Sequence, residues 1–331
     1  MKYVAPLILV GFLVLIAYVG AGVLGLDYAF GVVIPYLAVA TFFTGFLFRI
    51  WIWARAPVPY RVPTTTGQAK SLSFIKQDRF ESPSTMLEVL VRMALEVLVF
   101  RSLFRNSKAH MDPGPNLRYA SAKGLWVGAM VFHWALLVIV LRHYRFFLEP
   151  VPALLGLVES LDGFLQISLP NLYMTNVAVI LALGYLLLRR LADAPIRYLS
   201  MPQDYFPLYL LGGIIITGIL MRNGIRADVI KVKMLIQSLA QFRPEAQAGI
   251  GTIFYIHLFL VSVFAAYFPF SKLVHFGGVF FSPTRNLANN SREKRHVNPF
   301  NPEIKPRSYA QYEDEFREKM AKAGLPLDKD S

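Results

Sequence analysis

The chain has 331 residues, of which 55% are apolar and 17% charged, with a net charge of +13 and no cysteine. Ordinary soluble domains carry roughly 45–50% apolar and about 25% charged residues, so the excess points to long apolar segments. The missing cysteines exclude disulfides, thiolate-bound zinc and thiolate-bound iron–sulfur clusters within this chain. The basic residues lie in loops flanking apolar runs, where they set membrane topology; membrane lipid is expected as a neighbour and nucleic acid is not.

A helix needs about 20 mostly apolar residues to cross a bilayer. Apolar runs at 3–26, 30–53, 124–147, 172–188, 206–221 and 250–275 come up to or near that length. They predict an all-α membrane protein with six transmembrane helices in a bundle. The first run follows Met1-Lys2 but is too long for a signal-peptide apolar core, so it reads as a retained helix.

Between the second and third runs lies a polar insertion. Its first part is rich in Pro, Thr and Ser and reads as irregular loop. Thr85 and Glu88 then form a capping-box pattern ahead of an apolar helical stretch reaching Phe104. Glu88, Arg92 and Glu96 recur at four-residue spacing, a charged stripe costly in lipid, which predicts an amphipathic helix at the membrane surface or against a partner.

The segment 49–123 holds twelve Lys/Arg and the segment 142–170 holds two. Basic loops face the cytoplasm, so both termini are expected there, in the cell inner (cytoplasmic) membrane. The loop carrying Arg222, Arg226, Lys231, Lys233 and Arg243 dissents from this orientation. Beyond the sixth run, 282–331 is polar and charged with both signs, and reads as a cytoplasmic tail with a short helix near 309–323. Such a tail is either disordered or an arm that orders on a cytoplasmic partner.

Six histidines are present. His110 and His296 fall in polar segments and read as solvated. His133 and His143 lie on the third apolar run, and His257 and His275 on the sixth. Ionisable groups inside a membrane usually mark function, and neutral imidazoles are good axial ligands for haem iron. Two histidines on each of two helices therefore point to two bis-histidine b haems, with Met130 and Met221 as competing ligands. The third run heads outward and the sixth inward. That topology pairs His143 with His257 at an outer haem iron and His133 with His275 at an inner one.

The spacings do not match without distortion. Ten residues of helix rise about 15 Å and eighteen about 27 Å. Tilted helices, a kink at Pro269, or a position of His275 beyond the helix end before Phe276-Gly277-Gly278 would absorb the difference.

At these residues the sequence resembles the membrane haem-b gamma subunit of respiratory nitrate reductase, which carries histidine pairs ten and eighteen apart. The stretches Pro63-Thr64-Thr65-Thr66-Gly67-Gln68, Phe100-Arg101-Ser102-Leu103-Phe104-Arg105-Asn106 and Phe280-Phe281-Ser282-Pro283-Thr284-Arg285-Asn286 are similar to DsrM, the haem-b membrane subunit of the Dsr electron-transfer complex. The resemblance implies an additional N-terminal helix over 1–28, a gamma-like dihaem cytochrome b domain over 29–281 with an insertion at 55–122, and a tail over 282–331. It also implies menaquinol as substrate, a DsrK-like cytoplasmic iron–sulfur partner, further subunits including a periplasmic multihaem cytochrome c, and a link to dissimilatory sulfite or sulfur metabolism.

Quinol oxidation releases protons and needs polar groups beside the outer haem. Tyr144, Arg145, Glu159 and Asp162 are the candidates, while Arg142, Arg145 and Arg222 could pair with haem propionates or anchor helix ends. Gly212, Gly213 and Gly218 give either close backbone access to a porphyrin or tight helix packing. Two other readings stand beside this one: a transporter or proton channel with histidine relays, and a membrane anchor whose haem is structural. The transporter would favour broken helices and midplane acids, and no acidic residue falls inside the six predicted runs.

Overall fold

The computed structural model describes residues 1–56, 67–111, 117–163, 172–290, 303 and 305–328. The motif residues Pro63 to Thr66 and His296 lie outside them. In chain order the elements are α1 (Val4–Ala17), α2 (Ile34–Arg55), α3 (Met86–Val99), α4 (Arg101–Phe104), β1 (Ser107–Met111), β2 (Leu117–Ser121), α5 (Lys123–His143), α6 (Ala153–Asp162) and α7 (Met174–Ala192). They continue with α8 (Ala194–Leu199), α9 (Pro202–Asn223), α10 (Val229–Ala240), α11 (Thr252–Tyr267), α12 (His275–Phe281), α13 (Pro283–Asn286) and α14 (Tyr309–Lys322).

Six helical spans are long and apolar enough to cross a membrane: Val4–Val23, Ala29–Arg55, Lys123–Phe146, Met174–Ala192, Pro202–Asn223 and Thr252–Phe270. All six correspond to the predicted runs. Their outer faces are apolar, with Ile8, Phe12, Leu37 and Leu181 more than half exposed, as suits side chains that meet lipid. The fifth span starts earlier than expected and takes in Asp204, which caps the first turn by accepting from Met201 N at 2.9 Å and pairs with Lys272 at 2.6 Å. This acid stands at the end of the span.

Two packing groups fill the bundle. Val10, Ala17, Phe30, Leu210, Tyr255 and Leu260 join α1, α2, α9 and α11, while Phe132, Ala135, Val179, Leu183, Leu211 and Ile215 join α5, α7 and α9. The α9 helix serves both groups. Close approach of α5 to α7 requires Gly128, where a Cβ would stand 2.6 Å from Tyr185 Cδ1.

The sixth span departs from the expectation of one helix reaching His275. The α-helix ends at Tyr267, a 3-10 turn carries Phe268–Phe270, and Ser271 is extended at φ −118°, ψ 176°. A second 3-10 turn (Lys272–Val274) then leads into α12, whose first residue is His275. The chain therefore breaks after Pro269, and His275 stands on a separate short helix. This absorbs the excess rise between His257 and His275.

The insertion also differs in one respect. The predicted capping box is present: Thr85 Oγ1 accepts from Glu88 N at 3.3 Å and Glu88 Oε2 from Thr85 N at 3.4 Å. The helix stops at Phe100, which adopts φ 51°, ψ 48°. Its charged stripe, however, turns inward. Arg92 is 3% exposed, and Glu96 pairs with Arg285, while Leu87 and Leu90 face out at 71% and 60%. Glu81, buried at 4%, accepts Arg101 Nε at 3.0 Å and Arg105 Nη1 at 2.8 Å and holds the Arg105 guanidinium above its ordinary pKa.

The start of the tail closes this cluster. Arg285 Nη1 donates to Ser102 Oγ at 2.5 Å, and Asn289 N donates to Pro83 O at 2.6 Å. Two of the motifs singled out in the sequence, around Phe100–Asn106 and Phe280–Asn286, thus meet in space. The hairpin β1–β2, paired from Ser107↔Ser121 to Met111↔Leu117, and the helices α6 and α10 were not anticipated. The expected helix in the tail forms as α14, with Ser308 and Gln311 as its capping box.

Candidate functional site

The four intramembrane histidines gather into two pairs. His143, the last residue of α5, faces His257 of α11 with ring centroids 6.4 Å apart and planes 13° from parallel. His133, in the middle of α5, faces His275 with centroids 6.1 Å apart and planes at 87°. These are the pairings that the antiparallel topology predicts.

In all four rings Nδ1 is engaged. His133 Nδ1 is 2.8 Å from Ala129 O, His143 Nδ1 2.7 Å from Ile139 O, and His275 Nδ1 2.9 Å from Lys272 O. His257 Nδ1 lies 2.9 Å from Thr217 Oγ1 of α9. A carbonyl can only accept, so in His133, His143 and His275 Nδ1 carries the proton. That leaves Nε2 with its lone pair available for a metal.

The spacing tests whether a metal fits. An imidazole nitrogen binds a metal at about 2 Å and stands about 1.2 Å from its ring centroid, so two trans imidazoles on one ion have centroids about 6.4 Å apart. Both pairs meet that distance. Among the described residues no three His, Cys, Asp or Glu gather as a metal site. A metal held by either pair would take its remaining ligands from outside these side chains, and the planar nitrogen donors of a porphyrin are one set that suits a gap bounded by two rings.

Aromatic and small residues shape these positions. The Phe100 ring, at the turn after α3, lies 5.1 Å from the His133 ring, edge on. At Gly218 a Cβ would meet His257 Cε1 at 3.3 Å, and Gly213 lies against Leu260 and Val10. Gly218 thus serves close approach of α9 to His257, and Gly213 serves helix packing, the second of the two uses anticipated for the glycines.

Beside the outer pair lies a polar network built from α5, α6, α7 and α9. Arg142 Nε pairs with the buried Asp162 at 3.1 Å, and Asp162 accepts from Thr175 N at 2.9 Å and Thr175 Oγ1 at 2.7 Å. Tyr173 is sandwiched between two guanidiniums, Arg142 at 3.8 Å and Arg222 at 4.0 Å from its ring centroid. Its hydroxyl donates to Glu159 Oε1 at 2.7 Å, and Arg145 Nη1 reaches the same carboxylate at 2.5 Å. Burial and this hydrogen bond push the Tyr173 pKa up, opposed by Arg222.

The quinol-site candidates separate accordingly. Arg145 and Glu159 come together, Asp162 is buried in a structural ion pair, and Tyr144 is half exposed against Phe147. Sequence reasoning did not single out Tyr173 or Thr217. The one available signal for Thr217 was an aliphatic hydroxyl amid the apolar residues of the fifth span.

A sequence profile of the nitrate reductase gamma subunit family matches residues 89–293, which include all four histidines. The chain belongs to that family. It is 45% identical over 280 residues, 82% of this chain and 83% of the relative, to an Archaeoglobus fulgidus protein described as an Hdr-like menaquinol oxidoreductase cytochrome b-like subunit. A protein of Archaeoglobus profundus with the same description is 42% identical over 81% of this chain and 82% of its own. The nitrate reductase gamma chain of Bacillus subtilis is 29% identical over 51% of this chain and 77% of its own. Family membership and these relatives are consistent with the resemblance to a DsrM-type subunit, and the six spans with a multi-pass membrane protein of this family.

Proposed function

We propose that this chain is the membrane cytochrome b subunit of an electron-transfer complex, carrying electrons between menaquinol and a cytoplasmic iron–sulfur partner through two bis-histidine b haems. The observation that carries the reading is the spacing of the His143–His257 and His133–His275 rings, each suited to two axial ligands on one iron. The description of the Archaeoglobus relatives as Hdr-like menaquinol oxidoreductase subunits supports the donor and a heterodisulfide-reductase-like, DsrK-type partner. The DsrM resemblance adds a periplasmic multihaem cytochrome c and a role in sulfite or sulfur metabolism.

In this reading the haems supply one-electron carriers at two depths in the bilayer. The chain's own residues would hold them: His133, His143, His257 and His275 would ligate through Nε2, and the Nδ1 hydrogen bonds fix ring orientation. Oxidation of one menaquinol releases two electrons and two protons. Glu159 of α6, bridged to Tyr173 and to Arg145, which follows His143 by two residues, is the group that accepts a proton there. Asp162 keeps Arg142 and α7 in place. Residues 29–281 form the dihaem domain with the 55–122 insertion; 1–28 add a helix, and 282–331 form the tail. Both termini face the cytoplasm from the inner membrane.

The test is a reduced-minus-oxidised spectrum with haem quantification on the purified complex. Two b haems per chain, reducible by a menaquinol analogue, are expected. Absence of a b-type signal overturns the reading, and haems that a menaquinol analogue cannot reduce remove the quinol step. The histidine-relay alternative gains nothing from the fold, since the sixth span breaks near its end and Asp204 sits in a first turn.

A further inference from the structure

His257 is oriented differently from the other three histidines. His133, His143 and His275 each donate Nδ1–H to a carbonyl three or four residues earlier in the sequence, so the local backbone sets their ring planes. His257 instead meets groups of another helix, α9: its Nδ1 lies 2.9 Å from Thr217 Oγ1, and the Ile214 backbone is a second hydrogen-bond partner of the ring. Thr217 is 8% exposed, and its hydroxyl lies 2.8 Å from Gly213 O and 3.0 Å from Ile214 O. A hydroxyl proton donated to either carbonyl leaves an oxygen lone pair to accept from His257 Nδ1–H. Gly218, the next residue, allows the ring to approach.

The two pairs differ in ring geometry as well. The His143 and His257 planes are 13° apart, whereas those of His133 and His275 are at 87°. Rotation of His257 about its own side chain would change the outer angle, and the bond to Thr217 opposes that rotation.

We propose that Thr217 is a positioning residue for the outer haem: its hydroxyl holds His257 nearly parallel to His143 and raises the basicity of the ligating nitrogen. This rests on the two-haem reading above. Parallel imidazole planes split the iron d orbitals that accept ligand π density, and perpendicular planes leave them nearly degenerate. The outer ferric haem therefore gives an ordinary rhombic low-spin resonance, and the inner one a highly anisotropic low-field resonance. An accepted Nδ1–H bond makes the ligand a stronger donor and favours the oxidised iron. Its loss shifts the outer midpoint potential upward.

The experiment compares the haem-loaded wild type with Thr217→Val and Thr217→Ser by electron paramagnetic resonance, redox titration and haem quantification. A wild type without b haem would defeat the underlying reading, independently of Thr217. With two haems present, Thr217→Val is expected to alter only the rhombic resonance and raise only one midpoint, and Thr217→Ser to restore both. Loss of the outer haem in Thr217→Val with full retention in Thr217→Ser also supports the assignment. Unchanged resonances and midpoints in Thr217→Val, or a Thr217→Ser variant as perturbed as Thr217→Val, would overturn it.

Discussion

Tyr173 lies between Arg142 and Arg222, with both guanidiniums within about 4 Å of its ring centroid, and this stack ties α5 to α9 at the level of the outer histidine pair. The geometry of the inner pair depends on the break at Ser271. The two sites should therefore respond separately to substitution.

His275→Ala should lower the haem content from two per chain to one and leave the outer haem's spectrum intact. Haem quantification with low-temperature optical spectra checks this. Two haems retained would mean that His275 is a bystander and that another group ligates the inner iron.

Gly128 faces the Tyr185 ring, where even a Cβ would come within 2.6 Å of Cδ1. Gly128→Leu should separate α5 from α7 and destabilise the protein by about 1–3 kcal/mol, the usual range for overpacking. A thermal melt of the haem-loaded protein in detergent is the measurement. An unchanged midpoint would show that the helix pair relaxes freely.

Glu81 neutralises Arg101 and Arg105, and its own side chain is 6% exposed. Glu81→Gln keeps the shape but removes the charge. It should cost about 1–2 kcal/mol, at the low end for a broken buried pair because Arg105 is partly solvated. Faster proteolysis of the insertion, at unchanged haem content, is the expected readout.

Burial alone would raise the Glu88 pKa, but hydrogen bonds from Ser84, Thr85 and Gln77 outweigh it and hold the carboxyl below its ordinary value. The carboxylate thus stabilises the start of α3 fully above the unfolded value of about 4.3, and this contribution is lost as pH falls through the lower folded value. Hydrogen-exchange protection across 77–99, measured against the intrinsic rate at each pH, should fall in that acidic window. Glu88→Ala should show the faster exchange already at neutral pH, and equal rates in both proteins would count against the capping account.

What the sequence determined by itself is local. Span length and apolarity specify six crossings, Thr85 and Glu88 specify a helix start, and the order of the spans pairs His143 with His257 and His133 with His275. These follow from hydropathy and chain direction, which need no knowledge of neighbours. What only the tertiary structure decided depends on contacts between distant segments. The stripe at Glu88, Arg92 and Glu96 reads as the charged side of a helix at the membrane surface or against a partner until Arg285 and the Glu81 cluster draw it inward. The place of His275 depends on a break at Ser271 that frees the chain from the helical rise. Thr217 shows in the sequence only as a hydroxyl in an apolar run, and the packing of α9 on α11 is what brings it to His257. The histidine pairs could be named from sequence, but the planes of their rings, and the groups that hold those planes, arise from helix packing.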